Sequence, residues 1–314
     1  MMNESLKYRG RLAQTRIYFG KFLRMFIFQN DWKALPAGAI IAAVVTFVVG
    51  TNLFLTQEGT INGAFALTCG CIWNGFFNSI QVVCRERDVI KREHRAGLHM
   101  SSYVAAHMIY QFILCALQTV VTLFICFLAK VQFPKVGVVT PWSMLDLGVT
   151  LLLITFAADM MALMISSLVR TTTTAMKTMP FMLIFQLVFS GAFFDLEGIA
   201  NKLTYLTVSK WGMESVCAIG RYNEQPMVTL WNTMYSLKDV EVAGAYPVKE
   251  IVNTVYKNNQ INDVLYWSGQ QHQNPLYAAT APNVLGNWGV LLLIAFVSAL
   301  VATLALELID RDKR

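Results

Sequence analysis

Eight of the eleven residues from Arg85 to Arg95 are charged, in a chain where charged residues make up only 14%. The stretch reads CRERDVIKREHRAGLHMSSY over residues 84–103 and lies between two long apolar runs. Both signs are present, with Glu86, Asp88 and Glu93 among Arg87, Lys91, Arg92 and Arg95. A loop that only sets membrane orientation needs lysine and arginine, not the acids. A surface that docks a soluble partner uses both signs, and Gly97 permits the chain to turn back afterwards.

Bond-making chemistry is not indicated. No G-x-x-x-x-G-K-[ST] loop occurs, so nucleotide phosphates cannot be cradled by that route. The four histidines are His94, His99, His107 and His272, and their spacing with the cysteines suggests no metal site. H-E-x-x-H and G-x-S-x-G are absent. Five of the six cysteines, Cys69, Cys71, Cys84, Cys115 and Cys126, fall in or beside apolar runs, so only Cys217 is available outside, either as a buried thiol or for pairing across a symmetric dimer.

Polar residues inside apolar runs are the second group that can act, because polar groups in lipid are costly and face protein or a cavity. Asn74, Asn78 and Gln81 recur at helical spacing. Asp159 stands alone near the middle of another run, with Ser166 on its face. Gln186 and Ser190 are four apart, opposite Phe181, Phe185 and Phe189. These side chains line a pathway, or they hold helices together by buried hydrogen bonds. A lone carboxylate at Asp159 requires a proton, a partner or a watery cavity.

The elements that must position these residues follow from composition. The chain is 55% hydrophobic, its mean hydropathy is +0.48, and a soluble domain carries about 25% charged residues. A span needs roughly 20 mostly apolar residues. Six runs qualify, at 36–55, 62–83, 102–128, 147–169, 178–199 and 287–308. Seventeen of the 25 lysines and arginines fall at the two termini and in the 84–95 and 170–177 loops, which share one side of a six-span arrangement. Both termini are therefore expected in the cytoplasm, and the net charge of +6 reflects orientation, not nucleic-acid binding. The first 33 residues are too long and too charged for a signal peptide, and no cleavage is expected. Within them, residues 8–31 pattern as a basic amphipathic helix lying in the membrane surface. Residues 200–286 are polar with scattered aromatics and read as a small folded extracellular cap.

The segment ERDVIKREHRAGLHMSSYVAAHMI resembles the coupling-helix segment of ABC transporter permeases of the ABCG, or White, type. That family has an acidic residue, then R-E-x-x-x-G, then serine and tyrosine leading into the third span; Glu86, Glu93, Gly97, Ser102 and Tyr103 match. The Ser190–Gly191 pair after the fifth run resembles the same family, and LTVSKWGMESVCAIGRYNE resembles its short outer helix before the sixth span. The resemblance implies six spans per subunit, a two-fold dimer and transport driven by two ATPase domains, with the first helix beside the ATPase. It implies that spans two and five line a central cavity, making Asn74, Phe77, Phe181 and Leu187 cavity candidates and placing Ala192 and Phe193 at its outer valve. ABCG proteins are fused to their ATPase; this chain looks like a split bacterial form with a longer outer loop.

The expectation is an all-α polytopic membrane protein with an amphipathic connecting helix at 1–33, spans one to five within 34–199, a coupling helix at 85–100, an extracellular cap at 200–286 and the sixth span with a cytoplasmic tail at 287–314. It is expected in the plasma membrane as the permease subunit of an ATP-driven exporter. Glu86, Arg87, Lys91, Arg92, Glu93, Arg95 and Gly97 would couple to the ATPase, while Asn74, Phe77, Asn78, Asp159, Phe181, Leu187, Ser190, Ala192 and Phe193 would line the pathway. ATP and Mg would sit on the partner, with no cofactor or metal on this chain. The other partners are a second permease subunit, identical or paralogous, the lipid bilayer, and an accessory protein on the outer loop. Two rivals are an ion-coupled transporter using Asp159 and a non-transporting scaffold that binds a partner through the outer loop. Inverted repeats, usual in ion-coupled transporters, are not visible.

Overall fold

The computed structural model describes residues 10–28, 34–49, 52–191, 197–241 and 244–308. Helix α1 (Arg11–Phe28) precedes the apolar α2 (Ala34–Val49). Then come α3 (Gln57–Ser79), α4 (Val82–Arg95), α5 (Met100–Leu128), α6 (Ser143–Leu168) and α7 (Thr172–Val188). Short helices α8 (Gly198–Thr204), α9 (Val208–Ile219), α10 (Thr229–Ser236), α11 (Pro247–Lys257) and α12 (Ile261–Gln271) lead to α13 (Ala281–Glu307). The described residues are helical and contain no sheet. Each of the six apolar runs carries a helix, and α5, α6 and α13 are long and apolar enough to cross a membrane. The other three fall short of that measure for visible reasons: α2 and α7 have 16 and 17 residues, and α3 is diluted by Gln57, Glu58, Asn62, Asn74 and Asn78.

The helix starts follow from their caps. Thr56 Oγ1 accepts the Gly59 N–H at 3.1 Å to open α3, and Thr171, the first of the TTTT run, accepts the Thr174 N–H at 3.2 Å to open α7. Helix α6 has apolar residues on every face and is the centre of the bundle, as such a helix must be; α3, α5, α9 and α13 pack around it. Gly75 permits the closest of these approaches. A Cβ there would lie 2.4 Å from the Thr155 carbonyl and 2.8 Å from the Asp159 nitrogen, so the backbones of α3 and α6 nearly touch.

Helix α9 is inserted into the bundle between α3, α6 and α13, and eleven of its twelve residues are buried. Its charges are accommodated by a local pair, Lys210 Nζ to Glu214 Oε1 at 2.8 Å, one turn apart. Helices α10 to α12 form the part of this region that stands apart from the bundle. They are fastened to the start of α3, where Gln57 Nε2 donates to the Gly269 carbonyl at 2.9 Å and Glu58 Oε1 accepts the N–H groups of Val228 (2.9 Å) and Thr229 (2.6 Å). Burial opposes ionisation of Glu58, but the hydrogen bonds from Thr229 and Val228 outweigh it and hold the carboxyl below its ordinary range.

Candidate coupling and translocation site

Helix α4 follows α3 after only Ile80 and Gln81. Gln81 stands at its N-cap but makes no capping bond with its own side chain. Ser166, on α6, does this instead: its Oγ accepts the N–H groups of Val83 at 3.2 Å and Cys84 at 3.3 Å. Arg87 returns the favour by donating to the carbonyls of Ser167 (3.1 Å) and Val169 (3.0 Å) at the C-terminal end of α6, where a positive charge also suits the helix dipole. Cys84 Sγ donates to the Ser166 carbonyl at 3.1 Å. The start of α4 and the end of α6 therefore cap each other.

The far end of α4 is closed by Gly97, which adopts φ +101°. The Leu98 N–H reaches back to the Glu93 carbonyl and the Gly97 N–H to the His94 carbonyl, each at 3.0 Å, a Schellman closure that needs this left-handed glycine. Helix α1 braces the same end. Gln14 Nε2 donates to the Gly97 carbonyl at 3.2 Å, and the His99 N–H donates to Gln14 Oε1 at 3.0 Å. Tyr18 donates its hydroxyl to Glu93, and Lys21 pairs with Glu86 at 3.1 Å. Burial, then the bond to Glu93 and the charges of Glu93 and Glu86, push the Tyr18 phenol far above its ordinary range, so it stays a donor. Tyr18 and Phe22 stack edge-on against Tyr103 of α5 at 5.6 and 5.8 Å.

The seven sequence-predicted coupling residues thus divide by direction. Glu86 and Glu93 face α1, Arg87 faces α6, and Gly97 shapes the turn. Lys91 is half-buried, while Arg92 and Arg95 are exposed. Arg85 and Asp88, outside the predicted set, complete the exposed face at 85, 88, 92 and 95. That three- and four-residue spacing was the available signal. The α1 residues Gln14, Tyr18 and Lys21, which brace α4, were not among the predicted coupling residues.

The pathway candidates divide further. Asn78 and Gln118 of α5 exchange two amide hydrogen bonds, each 3.0 Å. Ser79 Oγ lies 3.1 Å from His107 Nε2 and accepts from Gln111 Nε2 at 3.0 Å. Cys115 Sγ donates to Asp159 Oδ2 at 3.9 Å, and Asp159 is 0% exposed. On α5 these partners are His107, Gln111, Cys115 and Gln118, a stripe spaced by four, four and three. Asn78 and Asp159 therefore sit in a polar seam joining α3, α5 and α6. Asn74 is also interior, against α2, where a Cβ on Gly38 would touch its amide at 3.3 Å.

A separate apolar groove of about 410 Å³ runs between α2, α3, α7 and the start of α9. Leu187 lines it, with Ile41, Val45, Trp73 and Leu183. Gln186 lies at its end, and its Oε1 accepts the N–H groups of Val208 (2.9 Å) and Ser209 (3.1 Å), pinning α9 to α7. Ser190 is buried and donates to the Leu187 carbonyl at 2.8 Å. Phe77 is 53% exposed and Phe181 73% exposed, on open faces of α3 and α7. Ala192 and Phe193 lie outside the described residues. No group of three or more His, Cys, Asp or Glu side chains gathers for a metal among the described residues. Cys217 is a free thiol buried in α9.

An all-helical bundle with a charged helix mounted at one end and an apolar groove along its side has the character of a membrane transport component. Residues 22–219 match the ABC-2 type transporter family, and the chain belongs to it. It is accordingly a membrane component of an ABC transporter and not a catalytic domain. An ABC transporter ATP-binding/permease protein of Mycobacterium tuberculosis is 23% identical over 154 residues, 48% of this chain. The match spans only 18% of that protein's length.

Proposed function

We propose that this chain is the permease subunit of an ATP-driven exporter in the plasma membrane. The six apolar helices α2, α3, α5, α6, α7 and α13 cross the bilayer, with α1, α4 and both termini in the cytoplasm. The carrying observation is the mounting of α4. A helix with an exposed face of Arg85, Asp88, Arg92 and Arg95 is fixed to α6 at one end and to α1 at the other. A force applied to that face is delivered to the bundle instead of being lost in a loose loop. The family match supports an ATPase partner; ATP and Mg are held there, since this chain carries no phosphate-binding loop.

Two copies, identical or paralogous, face each other through α3 and α7, enclosing a cavity onto which Phe77, Phe181, Ile184 and Leu187 open. ATP binding draws the paired α4 helices together, and substrate leaves because the outward-facing state holds it less well. The apolar and aromatic lining favours an amphipathic substrate. Helices α10 to α12 offer the outer surface for an accessory protein. Ion coupling through Asp159 has less support, because that carboxyl is sealed in the seam and lines neither the groove nor its mouth.

The test is purification from the native membrane in mild detergent with mass spectrometry of every co-purifying subunit. A stoichiometric ATPase that is lost on charge reversal of Arg85, Asp88 and Arg92 supports the proposal. A chain that purifies without one, even after gentle cross-linking at Lys91, sinks it.

A further inference from the structure

A groove of about 830 Å³ lies beside α1, and the transport scheme assigns it no occupant. Arg16, Gly20 and Arg24 follow one another at four-residue intervals along its wall, so the two guanidinium groups flank a glycine on one helix face. A Cβ on Gly20 would meet no atom within 4 Å, which leaves an open floor between the arginines. Their Cα atoms are about 12 Å apart at 1.5 Å per residue, a span that long side chains close around a phosphate. Lys21 adds a third positive charge and ties the groove to α4 through Glu86, the one carboxylate in its wall. The remaining wall is apolar and open: Ile17 is 48% exposed and Phe28 79%. Helix α1 has no acidic residue and ends at Phe28, six residues ahead of apolar α2.

We propose that this groove binds the headgroup of an anionic phospholipid. Arg16 and Arg24 clasp the phosphate in the forked geometry that guanidinium groups offer, Lys21 neutralises it, and the acyl chains run past Ile17 and Phe28. The exposed apolar walls favour a lipid over an acidic segment of the ATPase, which would not need them. Because Lys21 serves both the headgroup and Glu86, lipid occupancy reaches α4. The site rests on α2 lying in the membrane but requires no ATPase, so its test is independent of the exporter reading.

The full chain is reconstituted in nanodiscs of mixed phosphatidylcholine and phosphatidylglycerol, and retained lipids are counted by native mass spectrometry. Each arginine removed is expected to weaken retention roughly fivefold, so Arg16→Gln with Arg24→Gln loses phosphatidylglycerol at least tenfold. Phosphatidylcholine retention and the thermal midpoint stay unchanged, and Lys135→Gln at the far end has no effect. Gly20→Leu, which fills the floor and keeps every charge, gives a similar loss. Equal phosphatidylglycerol retention in the double variant overturns the proposal. So does full retention in Gly20→Leu, which indicates diffuse attraction without a site.

Discussion

Substituting Ser166 by alanine removes one oxygen from the interior of α6, yet its effect should surface in α4. The Ser166 hydroxyl is the acceptor for the Val83 and Cys84 N–H groups, which stand at the positions an N-cap normally serves and have no acceptor within their own helix. Loss of an N-cap costs about 1 kcal/mol, with a range of roughly 0.5–2. Both residues are buried, so water does not readily replace the bond and the upper half of that range applies. An opening made easier by about 1.4 kcal/mol raises exchange roughly tenfold. Hydrogen–deuterium exchange of peptides covering residues 80–90 should show this acceleration in Ser166→Ala, with α13 unaffected. Arg87→Gln, which strips the other half of the joint, should give a similar shift. The double variant should fall short of the sum by about 0.5 kcal/mol or more, because both act on one contact. Unchanged exchange at Val83 and Cys84 in Ser166→Ala would refute the mutual capping, and with it the argument that α4 is rigidly mounted.

Other consequences are equally direct. Gly75→Ala places a methyl against the Thr155 carbonyl and should destabilise the bundle by about 1–3 kcal/mol, read as a lower thermal midpoint and poorer yield, whereas Gly10→Ala, with open space around it, should not. Gly97→Ala forces a side chain into the left-handed region at a cost of about 1–2 kcal/mol, and Gly97→Asn should recover part of it; circular dichroism melts distinguish the three proteins. Asp159→Asn keeps the shape of the polar seam and should leave most transport intact, while abolition of transport by this change would revive ion coupling. Glu58 has its carboxyl held below the ordinary glutamate value of 4.5, so its grip on Val228 and Thr229 is complete above that value and is lost as pH falls through the lower folded one. Proteolysis of α10 should therefore quicken at acid pH in the wild-type chain, and Glu58→Gln should show the fast rate already at neutral pH.

The charge cluster told where α4 would be, and Gly97 where it would end. It did not tell which way each charge points, because α1 and a soluble partner are both served by charged residues. The answer was nonetheless latent in the spacing: Glu86 and Glu93 are seven apart on one face, and Arg85, Asp88, Arg92 and Arg95 on another. The stripe His107, Gln111, Cys115 and Gln118 was equally readable, but it is invisible until one knows that α5 meets Asn78 and Asp159. The sequence left Asn78 and Asp159 open between pathway and helix adhesion, because polarity inside an apolar run serves both, and it did not show their partners on α5. Helix α9 was legible as a short outer helix by resemblance, but its burial was not. Ser209, Lys210, Glu214 and Ser215 make it look like a surface helix, and the one-turn pairing of Lys210 with Glu214 is what lets it sit inside.

Helix α7 offers a last contrast with α6. Nineteen of the 26 residues of α6 are buried. On α7 only Ala175, Met179, Leu183 and Gln186 are, a single narrow stripe along 17 residues. A substitution on α6 is therefore filtered by folding before it is ever tested for transport. On α7, positions such as Met176, Phe181 and Ile184 lie outside the packed stripe and can change size among apolar residues with little effect on the packing of the subunit. If α7 walls the cavity as proposed, cargo preference can drift across generations on a helix that packing constrains far less than α6, while the machinery that moves the cargo stays fixed.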